Sequence, residues 1–247
     1  MASTVAGRQL TERQRRQQIA IRALTLRQVL ALWPTFDITA IDESWAAMEP
    51  ALLAVIQANR QNSAEVAAEY YRAFRMAEGV PGRVVPTLAV GDEWRQRAAV
   101  SLRVTGPFTA KRLVALNHPN PTAVTLTRLS GAVTRSVLDG GRETLVDSVR
   151  EEERQTGRRV GWARVTSGDP CHFCAMLASR GPVYGERTAD FQAHDHCSCS
   201  VEPTFSGSSE WPGRAREFQQ QWREATRDVH GGPESIRAFR RVYEGRT

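Results

Sequence analysis

Four cysteines set the tightest limit on how this 247-residue chain can fold, because all four fall within 29 residues, from Cys171 to Cys199. They form two close pairs, Cys171-x-x-Cys174 and Cys197-x-Cys199, with His194 and His196 just ahead of the second. A C-x-x-C turn aims both sulfurs at one point, and tetrahedral Zn2+ takes four thiolate or imidazole ligands at about 2.0–2.3 Å. The second cluster can complete that shell. Cys171, Cys174, His194, Cys197 and Cys199 are therefore candidate ligands of a structural Zn2+. The preferred set is Cys171, Cys174 and His194 with Cys199 or Cys197, since the H-x-x-C spacing from His194 to Cys197 lets one turn reach the metal twice. His196 is boxed between Asp195 and Cys197, and His172, inside the knuckle, is expected to point outward. Asp195 is placed to orient an imidazole rather than to ligate.

Other chemistries compete for these residues. Two disulfides are possible outside a reducing compartment. A thioredoxin-type redox pair needs a βαβ context around its C-x-x-C, and here a second cysteine pair follows instead. Pro170-Cys171-x-x-Cys174 fits half of the zinc-deaminase signature, but His118, the upstream histidine, is followed two residues on by Asn120, where proton transfer needs Glu.

Upstream, apolar periodicity dominates. Thr11 with Gln14 reads as a capping box, and Ile19, Ala23, Leu26, Leu30 and Trp33 recur at helical spacing until Pro34. A second helical stretch runs from Asp37 or Thr39 to Gly79–Pro81, with Pro50 marking either a kink or the first turn of a separate helix. Val84, Val85, Leu88 and Val90 suggest a short extended piece. Short helices follow around Trp94–Val100 and Pro107–Leu116. The longest periodic run starts at Pro121 and carries Leu126, Leu129, Val133, Val137, Leu145 and Val149 on one face to about Gln155. Gly140–Gly141 is expected to bend it. After Gly157 the texture changes: Val160–Val165 reads as a strand, 167–170 as a turn, and 206–213 as a linker. A polar helix from Arg214 carries Phe218 and Trp222, and a last helix ends at Tyr243.

These readings predict a mainly α fold. A helical domain spans 1–157, a small α+β zinc-knuckle module 158–205, and a linker with a C-terminal helical tail 206–247. The longest apolar stretches, such as Ala51–Ile56, are far short of the roughly 20 residues a spanning helix needs, and the polar, Arg-rich start shows no secretory h-region. Of 33 basic residues all but Lys111 are Arg, a bias typical of GC-rich genomes. Residues 1–30 hold six Arg against one Glu, so this basic arm could meet nucleic acid or an acidic partner surface, or serve only as a solvated helix face.

The segment Trp162-Ala-Arg-Val-Thr-Ser-Gly-Asp-Pro-Cys171-His-Phe-Cys174-Ala-Met-Leu177, then Gly181-Pro-Val-Tyr184, then Phe191-Gln-Ala-His194-Asp-His-Cys197-Ser-Cys199-Ser-Val-Glu-Pro203 resembles the C-terminal module of MuF-like minor head proteins of tailed bacteriophages. Cys171, Cys174, His194, Cys197 and Cys199 occupy the family motif, Trp162 and Asp169 match its lead-in, and His196 stands where the family tolerates other residues. Pro34-Thr-Phe-Asp37 and the Ala68-Glu-Tyr-Tyr71 helix look like those of actinobacteriophage relatives. The resemblance implies a structural virion component made in the host cytoplasm, present in several copies near the portal vertex. Its partners would be the portal or major capsid protein, with possible non-specific contact to packaged DNA and none to membrane. Its role would lie in head assembly or in DNA packaging and delivery. The metal would supply folding energy, about 10 kcal/mol or more, to a module too small to fold alone. An enzyme is not expected: no G-x-S-x-G motif occurs, and neither His118 nor His230 has an evident Ser partner. The alternatives are a zinc-dependent nuclease using His194, Asp195 or His196, a protein associated with a capsid maturation protease, and a zinc-binding DNA regulator.

Overall fold

In the computed structural model, residues 2–166, 168–184, 191–205, 211–229 and 231–245 are described. The chain is mainly α with one two-stranded antiparallel sheet. Helix α1 (Val5–Leu32) starts about two turns before the Thr11 expected from sequence. Its cap is Thr4, whose hydroxyl accepts from Gly7 N at 2.8 Å. Glu78, just past the second helix, accepts from Ser3 N at 2.8 Å and from Thr4 N at 3.2 Å. A carboxylate there complements the positive end of the helix dipole. Burial opposes its ionisation, but the Ser3 and Thr4 hydrogen bonds win and hold Glu78 below its ordinary range. Thr11 is buried instead, its hydroxyl 2.7 Å from Glu202 and 2.8 Å from the Tyr70 hydroxyl. The basic leading segment is thus the first helix of a bundle.

Helix α2 (Ile41–Ala77) is one 37-residue helix with Pro50 inside it. Proline removes a single backbone donor, and Trp45 and Met48 before it share a buried cluster with Leu52 and Ile56 after it, which keeps both halves in line. Helix α5 (Pro121–Thr156) contributes Leu129, Val133 and Val137 to that cluster. Gly140 and Gly141 do not interrupt α5. They let it approach α2: a Cβ at Gly140 would stand 2.5 Å from the Arg60 carbonyl oxygen, and one at Gly141 2.8 Å from Ser63 Oγ. Beside them Arg60 pairs with Glu143.

The short piece over Val84–Val90 has no regular secondary structure and lies along α5, held by Thr87 N donating to Ser148 Oγ and Ala89 N to Thr144 Oγ1. Two short helices were expected next. The structure joins them into one run: α3 (Glu93–Arg103), a π turn (Val104–Phe108) and α4 (Thr109–Ala115). Pro107 lacks the N–H that a regular helix needs, and Gly106 lies against the Trp45 ring, where a Cβ would come within 2.6 Å.

Strand β1 (Val160–Val165) forms where expected. Its partner β2 (Ser200–Phe205), to which the sequence reading assigns no element, carries Pro203. In a two-stranded sheet both strands are edges, so a proline is tolerated, here opposite Trp162. Val160, Trp162 and Val201 share a buried cluster with Tyr71, Phe74, Leu145 and Val149, which seats the sheet on the bundle. Helix α6 (His172–Ala178) carries Cys174 in its first turn, with Cys171 at its N-cap. The tail helices α7 (Ala215–Ala225) and α8 (Gly232–Tyr243) cover it, Phe218 and Phe239 packing on Ala175 and Met176. Most of the expected linker (206–210), Ser167 of the expected turn, and His230 lie outside the described residues.

Close packing at the α2–α5 crossing gives a test. On an exposed helix Gly→Ala gains about 1 kcal/mol. Gly140→Ala is expected instead to lose about 1–3 kcal/mol in urea denaturation, because the new methyl meets backbone rather than a side chain that can turn away.

Candidate metal centre

The two cysteine pairs reach one place from different elements. Cys171 precedes α6 with extended backbone and Cys174 sits in its first turn. The second pair lies on the turn that runs into β2, with His196 at φ 65° making the corner. Antiparallel pairing of β1 with β2 brings the chain ends carrying both pairs together, Val165 opposite Ser200.

The five ligand atoms form two triads that share Cys174: Cys171, Cys174 and His194, then Cys174, Cys197 and Cys199. Within each triad all atoms lie within 4.8 Å of one another. Cys171 Sγ is 3.0 Å and Cys174 Sγ 3.5 Å from His194 Nε2, and Cys174 Sγ is 3.6 Å from Cys197 Sγ. A zinc tetrahedron with bonds of about 2.0–2.3 Å has edges of roughly 3.3–3.8 Å, so the 3.5 and 3.6 Å separations suit a metal ion and the 3.0 Å one is a little short of it. Soft thiols and an imidazole suit zinc among the divalent ions. All four cysteines are free thiols, so the paired-disulfide alternative is not what the fold adopts. Cys174, Cys197 and Cys199 are buried, while Cys171 and His194 are exposed. The site has a dry inner side and a wet outer one.

His194 is prepared as a ligand. Its Nδ1 lies 2.6 Å from the Asp195 carbonyl oxygen, which can only accept, so Nδ1 carries the proton and Nε2 turns a lone pair toward the two thiols. His196 and His172 are turned elsewhere. The His196 ring packs over Gly131 of α5, where a Cβ would stand 2.7 Å from its Nε2. His172 Nδ1 faces Glu244 at 3.0 Å. Asp195 orients the loop through an ion pair with Arg135 at 2.8 Å, as well as holding His194 through its carbonyl.

Sequence reasoning missed the arginines that hold the loop. Arg142 of α5 is buried and donates to the carbonyls of Cys199 at 3.0 Å and Cys197 at 2.7 Å, with Asp139 as its counter-ion at 2.8 Å. Arg164 of β1, also buried, donates to the Gln192 carbonyl at 2.6 Å and lies 4.0 Å from Cys174 Sγ. Both guanidinium groups face the Phe191 ring, at 5.2 and 3.8 Å from its centroid. Electrostatically the inner thiols are poised to give up protons unequally. Hydrogen bonds from Cys174 and Cys199, helped by the Arg142 charge, push the Cys197 thiol down. Hydrogen bonds with Cys197 and Cys199, together with burial, push the Cys174 thiol up, so it keeps its own proton while Cys197 is the readier to lose one. Nothing separated Arg142 or Arg164 from thirty other arginines in the sequence; only the Gly140–Gly141 step beside Arg142 marked that stretch of α5 as unusual.

A cleft of about 400 Å³ opens beside the loop, lined by Arg60, Arg97, Arg135, Arg142, Glu143 and Phe191. Its arginines are matched within the chain: Arg60 and Arg97 by Glu143, Arg135 by Asp195, Arg142 by Asp139. Losing the Arg142 clamp should be costly. Arg142→Met is expected to destabilise the fold by about 3 kcal/mol in urea denaturation, since two carbonyls stay buried without donors. A loss under about 0.5 kcal/mol would show that the loop is held by other means.

A family model described as VG15 protein matches residues 6–225. Among curated proteins, the Gene 15 protein of Mycobacterium phage D29 is 27% identical over 177 residues, a match covering 53% of this chain and 64% of that protein. The match therefore spans just under two thirds of that relative's length. No solved structure matches this chain.

Proposed function

Because the chain belongs to the VG15 protein family, a family of phage proteins, we propose that it is a MuF-like minor head protein. In this reading it is a structural virion component without catalytic activity, acting near the portal vertex in head assembly or DNA packaging and delivery. The phage relative and the MuF-like pattern of Trp162, Asp169 and the cysteine–histidine set support the virion assignment.

For the metal, we assign Zn2+ to the close triad of Cys171, Cys174 and His194 with Cys197 as fourth ligand, because Cys197 Sγ lies 3.6 Å from Cys174, the thiol that both triads share. Cys199 is the reserve ligand. When bound, the ion would supply cross-linking alone, tying the start of α6 to the turn before β2. The observation that carries the structural reading is the use already made of the residues a nuclease would need: the Asp195 carboxylate is engaged by Arg135, and the His196 ring is seated on Gly131. Catalytic zinc needs an open position with bound water, whereas the four ligands assigned here would fill a tetrahedral shell.

Elemental analysis should find one zinc per chain. Cys174→Ser should abolish it and Cys199→Ser retain it. Chelation should strip hydrogen-exchange protection from 171–199 and leave α2 and α5 protected. Loop protection that survives complete removal of the metal would refute the cross-linking role. Plasmid cleavage that is lost with Asp195→Asn or His196→Ala would favour the nuclease instead.

A further inference from the structure

The run α3–π turn–α4 presents apolar side chains outward at intervals of four: Val100, Val104, Phe108 and Leu116 are 55%, 53%, 62% and 66% exposed. Position 112 of the same series is an arginine. In a regular α-helix a four-residue repeat drifts about 40° around the axis per step. The wider π turn between Val104 and Phe108 takes back part of that drift, so the stripe stays on one side of the rod. The turn itself is fixed from behind by Gly106 against Trp45 and by buried Pro107. The core thus imposes a local irregularity whose outward effect is to line up four exposed apolar groups. An exposed apolar row, with Val100, Val104 and Phe108 about one turn apart and Leu116 beyond Arg112, marks an interaction surface.

Charge selects the occupant. Residues 93–116 carry Arg95, Arg97, Arg103, Lys111 and Arg112 against a single acid, Glu93. Arg97 pairs with Glu143, and Arg103 and Lys111 lean onto Glu49 and Asp42 of α2 yet keep more than half of their side chains in solvent; Arg95 and Arg112 have no ion-pair partner among the described residues. A second copy of this chain meeting the stripe face to face would bring like charges together. We propose that the Val100–Leu116 stripe docks an acidic, apolar-anchored segment of a neighbouring head protein. This rests on the head-protein reading and names the surface that reading lacks. Phe108, the largest exposed group, is the anchor, and Arg112 with its basic neighbours reads the acidic rim.

The test uses phage particles made in cells that supply this chain as wild type, Phe108→Glu, Phe108→Leu or Arg112→Glu, with incorporation quantified by immunoblot on purified heads. Wild type and Phe108→Leu should be incorporated alike, Phe108→Glu at least 10-fold less, and Arg112→Glu clearly less, while thermal midpoints of the purified chains stay together. Equal incorporation of wild type and Phe108→Glu overturns the docking proposal and leaves the head reading standing. Absence of the wild-type chain from heads overturns both. Light scattering on the purified chain supplies the remaining arm: a wild-type dimer that Phe108→Glu converts to monomer would make the stripe a self-interface and overturn the acidic-partner assignment.

Discussion

The contact on which the architecture turns is a buried guanidinium. Arg142 leaves the middle of α5 and ends between the carbonyls of Cys197 and Cys199, so the cysteine loop is fastened to the bundle by backbone. Burying an arginine is expensive unless its charge is matched and its donors are used. Asp139 matches the charge, the two carbonyls take the donors, and the Phe191 ring covers an exposed face. Removing the loop would leave that charge half-satisfied inside the protein. Bundle and loop therefore depend on each other before any metal is considered.

Helix α5 works as a spine because it is bare where neighbours must come close. Gly140 and Gly141 admit the backbone and side chains of α2, and Gly131 admits the ring of His196. Between and beyond these points large apolar residues fill the two cores, Leu129, Val133 and Val137 on one side and Leu145 and Val149 on the other. A second buried ionic cluster, Arg75 with Glu152 and the Tyr71 hydroxyl, pins the far end of α2 to α5. Along one helix, then, approach distance is set by missing side chains and orientation by charged ones.

Much of this was legible in the chain because the signals were local. The apolar period over Leu126–Val149 identified α5, Val160–Val165 marked β1, and the cysteine spacing announced a convergent cluster. What escaped depended on distant partners. Thr11 has the residue pattern of a cap, but Glu78 draws the true start back to Thr4. Ser200–Phe205 shows no strand pattern of its own and becomes β2 only with β1 beside it, Trp162 opposite Pro203. Gly140–Gly141 looks like a flexible joint until Arg60 and Ser63 fill the space. The arginines around the cysteines are chemically indistinguishable from the rest, and only three-dimensional closure singles them out.

The π turn has one more implication. A π bulge is a helix holding one residue more than its length requires. Shortening 104–108 by a single residue would restore a regular helix without turning α4, because four residues of α-helix wind about as far as five of π-helix. Thr109 and Ala110 would stay inside, and the change would be felt at the turn itself, where Gly106 and Pro107 now lie buried. Related chains that differ in length by one residue at this point would keep both the bundle and its outer meridian.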